Sequence, residues 1–199
     1  MIELTDETAS TLRYVEHDID RILIDRDRIA RRVEEMAAQI RGDLEDLSDE
    51  FEIILVPILT GSIIFLADLI RQLPQKIRIS VVTVSSYAGQ RTTTTGRPIV
   101  GDLPEELENR HVLIVDDILD SGTTIRRIRR EIEQRGPRTL RTCVLLRKNL
   151  PSALETPCEY VGFDIPDEFV VGYGLDYNGY YRNLPDIGVL KKEALRGEP

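Results

Sequence analysis

"VLIVDDILDSGTTI", residues 112–125, runs four apolar residues into two adjacent aspartates, then two more apolar residues, a third aspartate and a small, hydroxyl-rich turn. A short apolar, β-branched run bounded by turn residues reads as a buried strand. The turn Asp120-Ser121-Gly122-Thr123-Thr124 leads into "GTTIRRIRREIEQRG", which reads as a helix ending at Gly136. Successive backbone N–H groups in such a turn, added to the positive end of a helix dipole, form a cradle for an anion. Gly122 lets the backbone come close, and Ser121, Thr123 and Thr124 supply hydroxyl donors. A terminal phosphate monoester fits without any lysine. The Walker pattern of glycine, four residues and Gly-Lys-Ser/Thr is absent, which argues against a nucleoside triphosphatase.

Asp116 and Asp117 stand just before the cradle. Neighbouring residues of a strand point to opposite faces, so at most one of the two packs inward. Acceptor-only carboxylates beside a phosphate suit sugar hydroxyls or a hydrated divalent cation. Asp120, at the mouth of the loop, is placed to reach a third part of a ligand. Taken alone, "DSGTT" is more often a helix cap than a phosphate site; the whole run is far more specific. Receiver domains also set paired acids after an apolar strand, but after their first strand, and here other strand candidates come earlier.

Working outward, "LIDRDRIARRVEEMAAQIRGDL" is an amphipathic helix with Ile29, Val33, Met36 and Ile40 near one face, Asp25 as cap and Gly42 at its end. "FEIILVPIL" reads as a buried strand, "GSIIFLADLIRQLP" as a helix halted by Pro74, "IRISVVTVSS" as one further strand and "TLRTCVLLRK" as another. Strands alternating with helices predict an α/β fold with a mostly parallel sheet. Ligands of such sheets bind beyond the carboxyl ends of the strands, where the opening stretch sits. At 199 residues one domain is expected, with residues 1–20 as a polar extension.

A net charge of −9 argues against a nucleic-acid partner, although local basic groups and a metal leave room for an anionic small substrate. No apolar run approaches the ~20 residues of a membrane span, and the acidic start lacks the order of a signal peptide. Cys143 and Cys158 give neither a disulfide framework nor a zinc pattern, so a cytoplasmic protein is expected. His17 and His111 share no ligand spacing and read as surface residues.

"VLIVDDILDSGTTI" resembles the phosphoribosyl-pyrophosphate loop of type I phosphoribosyltransferases. "EYVGFDIPDEFVVGYGLDYNGYYRNLPDIGVL" (159–190) is similar to the C-terminal region of the hypoxanthine (hypoxanthine-guanine) branch. "PILTGSIIFLADLIR" resembles that branch's pyrophosphate loop and following helix, and "VSSYAGQRTTTTGR" its mobile loop; the likeness spans roughly residues 22 to 191. It implies a mostly parallel sheet flanked by helices, with a small hood formed by the terminal segments. It also implies purine salvage: hypoxanthine and/or guanine plus phosphoribosyl pyrophosphate giving IMP or GMP and pyrophosphate. A xanthine-preferring relative, or a non-catalytic or RNA-binding regulator on the same fold, are the alternatives. The basic run "TTIRRIRREIEQR" is the only candidate RNA surface, and its arginines mostly read as the solvated face of a helix.

By the same resemblance Asp120 is the general base toward purine N7, and Asp116 and Asp117 hold the ribose hydroxyls, partly through magnesium. The family more often has Glu-Asp at this pair. Leu59, Thr60 and Gly61 bind pyrophosphate, with a non-proline cis peptide often at Leu59–Thr60. Ser121, Gly122, Thr123 and Thr124 bind the 5′-phosphate, and Arg182 contacts pyrophosphate. Lys148 donates to the purine 6-oxygen, Phe169 stacks on the base, Val170 offers its backbone, and Asp176 binds a metal at the purine site. Ser86 and Tyr87 root a lid. Mg2+ is the implied cofactor, and a homodimer or homotetramer the implied assembly.

Overall fold

The computed structural model describes residues 17–45, 53–85, 99–100, 103 and 106–195. The chain divides into two compact units, Met1–Arg31 with Glu168–Pro199, and Arg32–Asp167.

The larger unit is organised by the run that opened the sequence. β6 (His111–Leu119) lies between β2 (Ile53–Leu59) and β7 (Thr139–Lys148), parallel to both. β7 is followed by β8 (Tyr160–Ile165), also parallel. β2 further pairs in parallel with β3 (Ile77–Ile79) and β4 (Val82–Ser85), and β4 takes β5 (Ile99–Val100) antiparallel. The expected single strand over "IRISVVTVSS" is thus two, both adding to β2.

Period-2 alternation sorts the apolar residues. Ile54, Val56 and Ile58 of β2, Val112 and Ile114 of β6 and Val144 of β7 belong to one buried cluster with Ile125, Ile128 and Ile132 of α3 (Thr123–Glu133). Those three isoleucines share one face of α3, and each stabilises the fold by about 1.5–3 kcal/mol on burial.

α1 (Arg26–Glu45) starts where expected, with Asp25 Oδ1 accepting the Arg28 N–H at 2.8 Å. It runs past Gly42, whose added Cβ would meet nothing within 4 Å. An exposed glycine without a left-handed turn does not stop a helix. Arg32 donates to the Gly162 and Val161 carbonyls, each at 2.8 Å. α2 (Ile63–Ile70) ends before Pro74, and α4 (Pro151–Leu154) is a single turn. Among the described residues no helix is long and apolar enough to cross a membrane.

His111 is buried, at the head of the central strand, contrary to the surface placement expected. Its Nδ1 lies 2.8 Å from Thr139 Oγ1, and burial, then the charges of Arg138 and Arg141, push its pKa down.

The smaller unit holds an antiparallel sheet, β1 (Ile19–Ile24), β10 (Ile187–Leu190), β9 (Val170–Val171), built from the terminal segments. Arg26 clamps Asp186 with its backbone N–H at 2.7 Å, Nε at 3.1 Å and Nη2 at 2.7 Å. This fork holds the Asp186 carboxyl below its usual range.

Candidate active site

Because β2, β6 and β7 are parallel neighbours, Leu59, Leu119 and Lys148 finish at one edge of the sheet. There the alternation of β6 splits the two acids. Asp116 is buried at 7% exposure and Asp117 half-buried. Asp117 N–H donates to Asp116 Oδ1 at 3.0 Å, and Ile118 N–H to Asp117 Oδ1 at 2.8 Å. Burial, and then the neighbouring charge of Asp117, raise the Asp116 pKa well above the usual carboxylate range.

The loop after β2 meets the same acids. The Leu59–Thr60 peptide is cis, as the resemblance implied. A Cβ on Gly61 would fall 1.7 Å from Asp117 Oδ2, so only glycine lets this loop lie against that carboxylate. Ser62, buried, donates to the Ile58 carbonyl at 2.6 Å and ties the loop to its own strand.

The turn after β6 passes through Gly122 at φ +74, in the left-handed region, directly before the first residue of α3. Ser121 Oγ donates to Thr123 Oγ1 at 3.1 Å. Beneath the turn lies Arg126. Its Nη2 donates to the Ser121 carbonyl at 3.0 Å, and its Nη1 to the Ser152 carbonyl at 3.0 Å and to Thr156 Oγ1. Thr156 Oγ1 donates to Ser152 O at 2.7 Å. The sequence pattern predicts a solvated helix face for this arginine. Instead it joins the turn to α4 and sets a positive charge under it. The i, i+5 reach back to Ser121 could have been suspected from spacing; the partners 26 and 30 residues onward could not.

Two other arginines of α3 are also engaged: Arg127 with Glu131 at 3.0 Å, and Arg129 with Glu159 at 3.0 Å and Thr142 Oγ1 at 2.8 Å.

At the end of β7, Lys148 Nζ lies 2.9 Å from Asp167 Oδ1 and 3.3 Å from Asp120 Oδ1. Its side chain is 12% exposed, against 55% for Asp120 and 56% for Asp167. Burial alone would lower the Lys148 pKa. The hydrogen bond to Asp167 and the charge of Asp120 outweigh it, so the net direction is upward. Lys148 is a committed cation and donor. Asp167 was not singled out in the sequence, where nothing but folding brings it to Lys148.

The larger unit therefore brings together Leu59, Thr60, Gly61, Asp116, Asp117, Asp120, Ser121, Gly122, Thr123, Thr124 and Lys148 at one sheet edge. Phe169, Val170, Asp176 and Arg182 belong to the smaller unit. There Phe169 is exposed and meets Tyr177 edge-on, centroids 5.4 Å apart. Val170 is buried and pairs with Val189. Asp176 Oδ1 pairs with Arg182 Nη2 at 2.8 Å and accepts the Gly179 N–H through Oδ2 at 2.8 Å, while Arg182 Nη1 donates to Gly174 O at 2.6 Å. Ser86 and Tyr87 lie outside the described residues.

Among the described residues no group of three or more His, Cys, Asp and Glu side chains is arranged to hold a metal by itself. Magnesium keeps several waters and typically takes one or two carboxylates plus substrate phosphates. The Asp116–Asp117 pair beside an anion cradle has that donor chemistry.

Residues 22–178 match the phosphoribosyl transferase domain family. The hypoxanthine-guanine phosphoribosyltransferase of Mycobacterium bovis is 41% identical over 177 residues, 87% of each chain. The hypoxanthine phosphoribosyltransferase of Salmonella typhimurium is 40% identical over 174 residues, 87% of this chain and 96% of the relative. A solved ternary substrate complex of a Trypanosoma cruzi hypoxanthine phosphoribosyltransferase variant superposes with a TM-score of 0.82 at 35% identity, covering 90% of this chain and 99% of that one. The chain belongs to the phosphoribosyltransferase family, and within it to the hypoxanthine and hypoxanthine-guanine branch.

Proposed function

We propose that this enzyme joins hypoxanthine and/or guanine to phosphoribosyl pyrophosphate, giving IMP or GMP and pyrophosphate, and that Lys148 and Asp120 read the base. The observation that carries this reading is their separation of 3.3 Å. A 6-oxopurine protonated at N7 offers an acceptor, O6, beside a donor, N7–H, along one edge. An ammonium beside a carboxylate is the complementary pair. Adenine presents an amino group at position 6, setting donor against donor.

In the proposed reaction purine N9 forms a bond to the anomeric carbon as the bond to pyrophosphate breaks. Asp120 takes, or shares, the N7 proton, and its charge favours the oxocarbenium-like ribose. The turn 121–124 and the N-terminus of α3 hold the 5′-phosphate, with Arg126 beneath adding charge of the right sign. Asp116 and Asp117 hold the ribose hydroxyls and, through water, magnesium; Leu59, Thr60 and Gly61 present the pyrophosphate loop. Magnesium, when bound, neutralises charge developing on the leaving pyrophosphate.

The roles the resemblance implies for Phe169, Val170, Asp176, Arg182, Ser86 and Tyr87 are part of the same proposal, as is a cytoplasmic homodimer or homotetramer. The two free cysteines suit a reducing compartment. Nucleotide formation from hypoxanthine, guanine, xanthine and adenine, each with phosphoribosyl pyrophosphate and magnesium, tests the reaction. No nucleotide from any 6-oxopurine would overturn it.

A further inference from the structure

Lys148 has two carboxylate neighbours, and recognition of the purine edge uses only Asp120 of the two. Asp167 Oδ1, at 2.9 Å, is nearer than Asp120 Oδ1 at 3.3 Å. A lysine ammonium has three N–H donors on a flexible stem and follows whichever acceptor is offered. With Asp120 alone as partner, Lys148 would lose that partner when Asp120 turned to the purine N7–H. The ammonium would then be free to leave the plane of the base or to cling to Asp120 and occlude it. A second, independent anchor removes both alternatives.

We propose that Asp167 is a positioning residue for base recognition: it holds one N–H of Lys148, so that another stays aimed at the purine 6-oxygen while Asp120 serves N7. This rests on the proposed 6-oxopurine reaction. Asp167 touches neither substrate nor reacting atom and works through Lys148. The asymmetry of burial agrees with this division. The lysine is 12% exposed, while both carboxylates are more than half exposed and keep their own hydration. The upward direction of the Lys148 pKa agrees as well, since the hydrogen bond to Asp167 is the leading contribution opposing burial.

The test compares wild type, Asp167→Asn and Asp167→Glu. The exposure of Asp167 makes all three foldable, and melting temperatures check this. Asp167→Asn should raise the KM for hypoxanthine and the Kd for IMP by roughly threefold to fivefold, the scale of a partly exposed ion pair. The KM for phosphoribosyl pyrophosphate and kcat should stay near wild type, and Asp167→Glu should recover most of the loss. In NMR titrations of isotope-labelled lysine, the Lys148 resonance should titrate at lower pH in Asp167→Asn.

An unchanged hypoxanthine KM in Asp167→Asn overturns the positioning role, even if the titration moves. An unmoved titration overturns the pairing, even if KM rises. If wild type forms no nucleotide from hypoxanthine and binds no IMP, the reaction assignment fails first. The titration then still judges whether Asp167 holds Lys148.

Discussion

Lys148 Nζ and Asp120 Oδ1 stand 3.3 Å apart at the carboxyl edge of the sheet, one at the end of β7 and the other just beyond β6. Parallel pairing of those strands, with Leu119 opposite Arg147, makes the approach a consequence of register. One cation and one anion thus stand together at adjacent strand ends.

Asp120→Asn should keep the fold and substrate binding and lose turnover. A positioned general base contributes about 10²–10⁴-fold, and the amide cannot accept a proton at neutral pH. Steady-state rates across pH, with hypoxanthine and phosphoribosyl pyrophosphate, check this. Full turnover with an unaltered pH profile would remove Asp120 from the role of base.

Asp116→Asn should be more stable than wild type and less active. Burial and the charge of Asp117 raise the Asp116 pKa, so this group favours the folded state when protonated. That contribution is complete below the unfolded carboxylate pKa of about 3.9 and is lost as pH rises through the raised folded value. The asparagine variant lacks this loss, so its advantage in melting temperature should grow from acid to neutral pH. At this chain length each kcal/mol is roughly 2–4 °C. Equal melting temperatures across that range would contradict it.

Gly122→Ala should damage the phosphate turn. Its φ of +74 strains any side chain, and the new Cβ would lie 2.0 Å from Thr156 Oγ1 and 2.5 Å from Arg126 Nη1. Backbone strain of this kind costs about 1–3 kcal/mol before the displaced arginine is counted. The KM for phosphoribosyl pyrophosphate should rise more than the KM for the base. A variant with wild-type values for both would refute the loop's assignment.

Thr60→Lys should tighten product inhibition by pyrophosphate roughly fivefold, the scale of one exposed ion pair, with little change in turnover. Thr60 is exposed in the loop after β2, the proposed pyrophosphate loop. The backbone groups survive the change, so only an added charge is being read. Pyrophosphate inhibition constants for the two proteins decide it.

The sheet's centre was legible because β2, β6 and β7 are near-continuous apolar runs, and burial on both faces demands such runs. β1 was not, since half of its residues are exposed and its partner β10 lies more than 160 residues onward. The cradle around Gly122 could be read from local chemistry. Its brace could not, because Arg126 finds Ser152 and Thr156 only through the folding of α4 against α3. His111 misled for the same reason: a polar residue at a strand head is buried here by its two neighbouring strands and by Thr139. Local pattern reports a residue's own backbone; it is silent on partners supplied by distant chain.

Whether Lys148 and Asp120 read a 6-oxopurine edge is measured by the ratio of kcat/KM for hypoxanthine to that for adenine in wild type and in Lys148→Gln. A buried donor facing a donor discriminates by about 10⁴ or more, so wild type should favour hypoxanthine on that scale. The glutamine amide both donates and accepts, and the ratio should shrink markedly. Comparable wild-type rates with both purines, or a ratio unmoved by Lys148→Gln, would rule out base recognition by this pair.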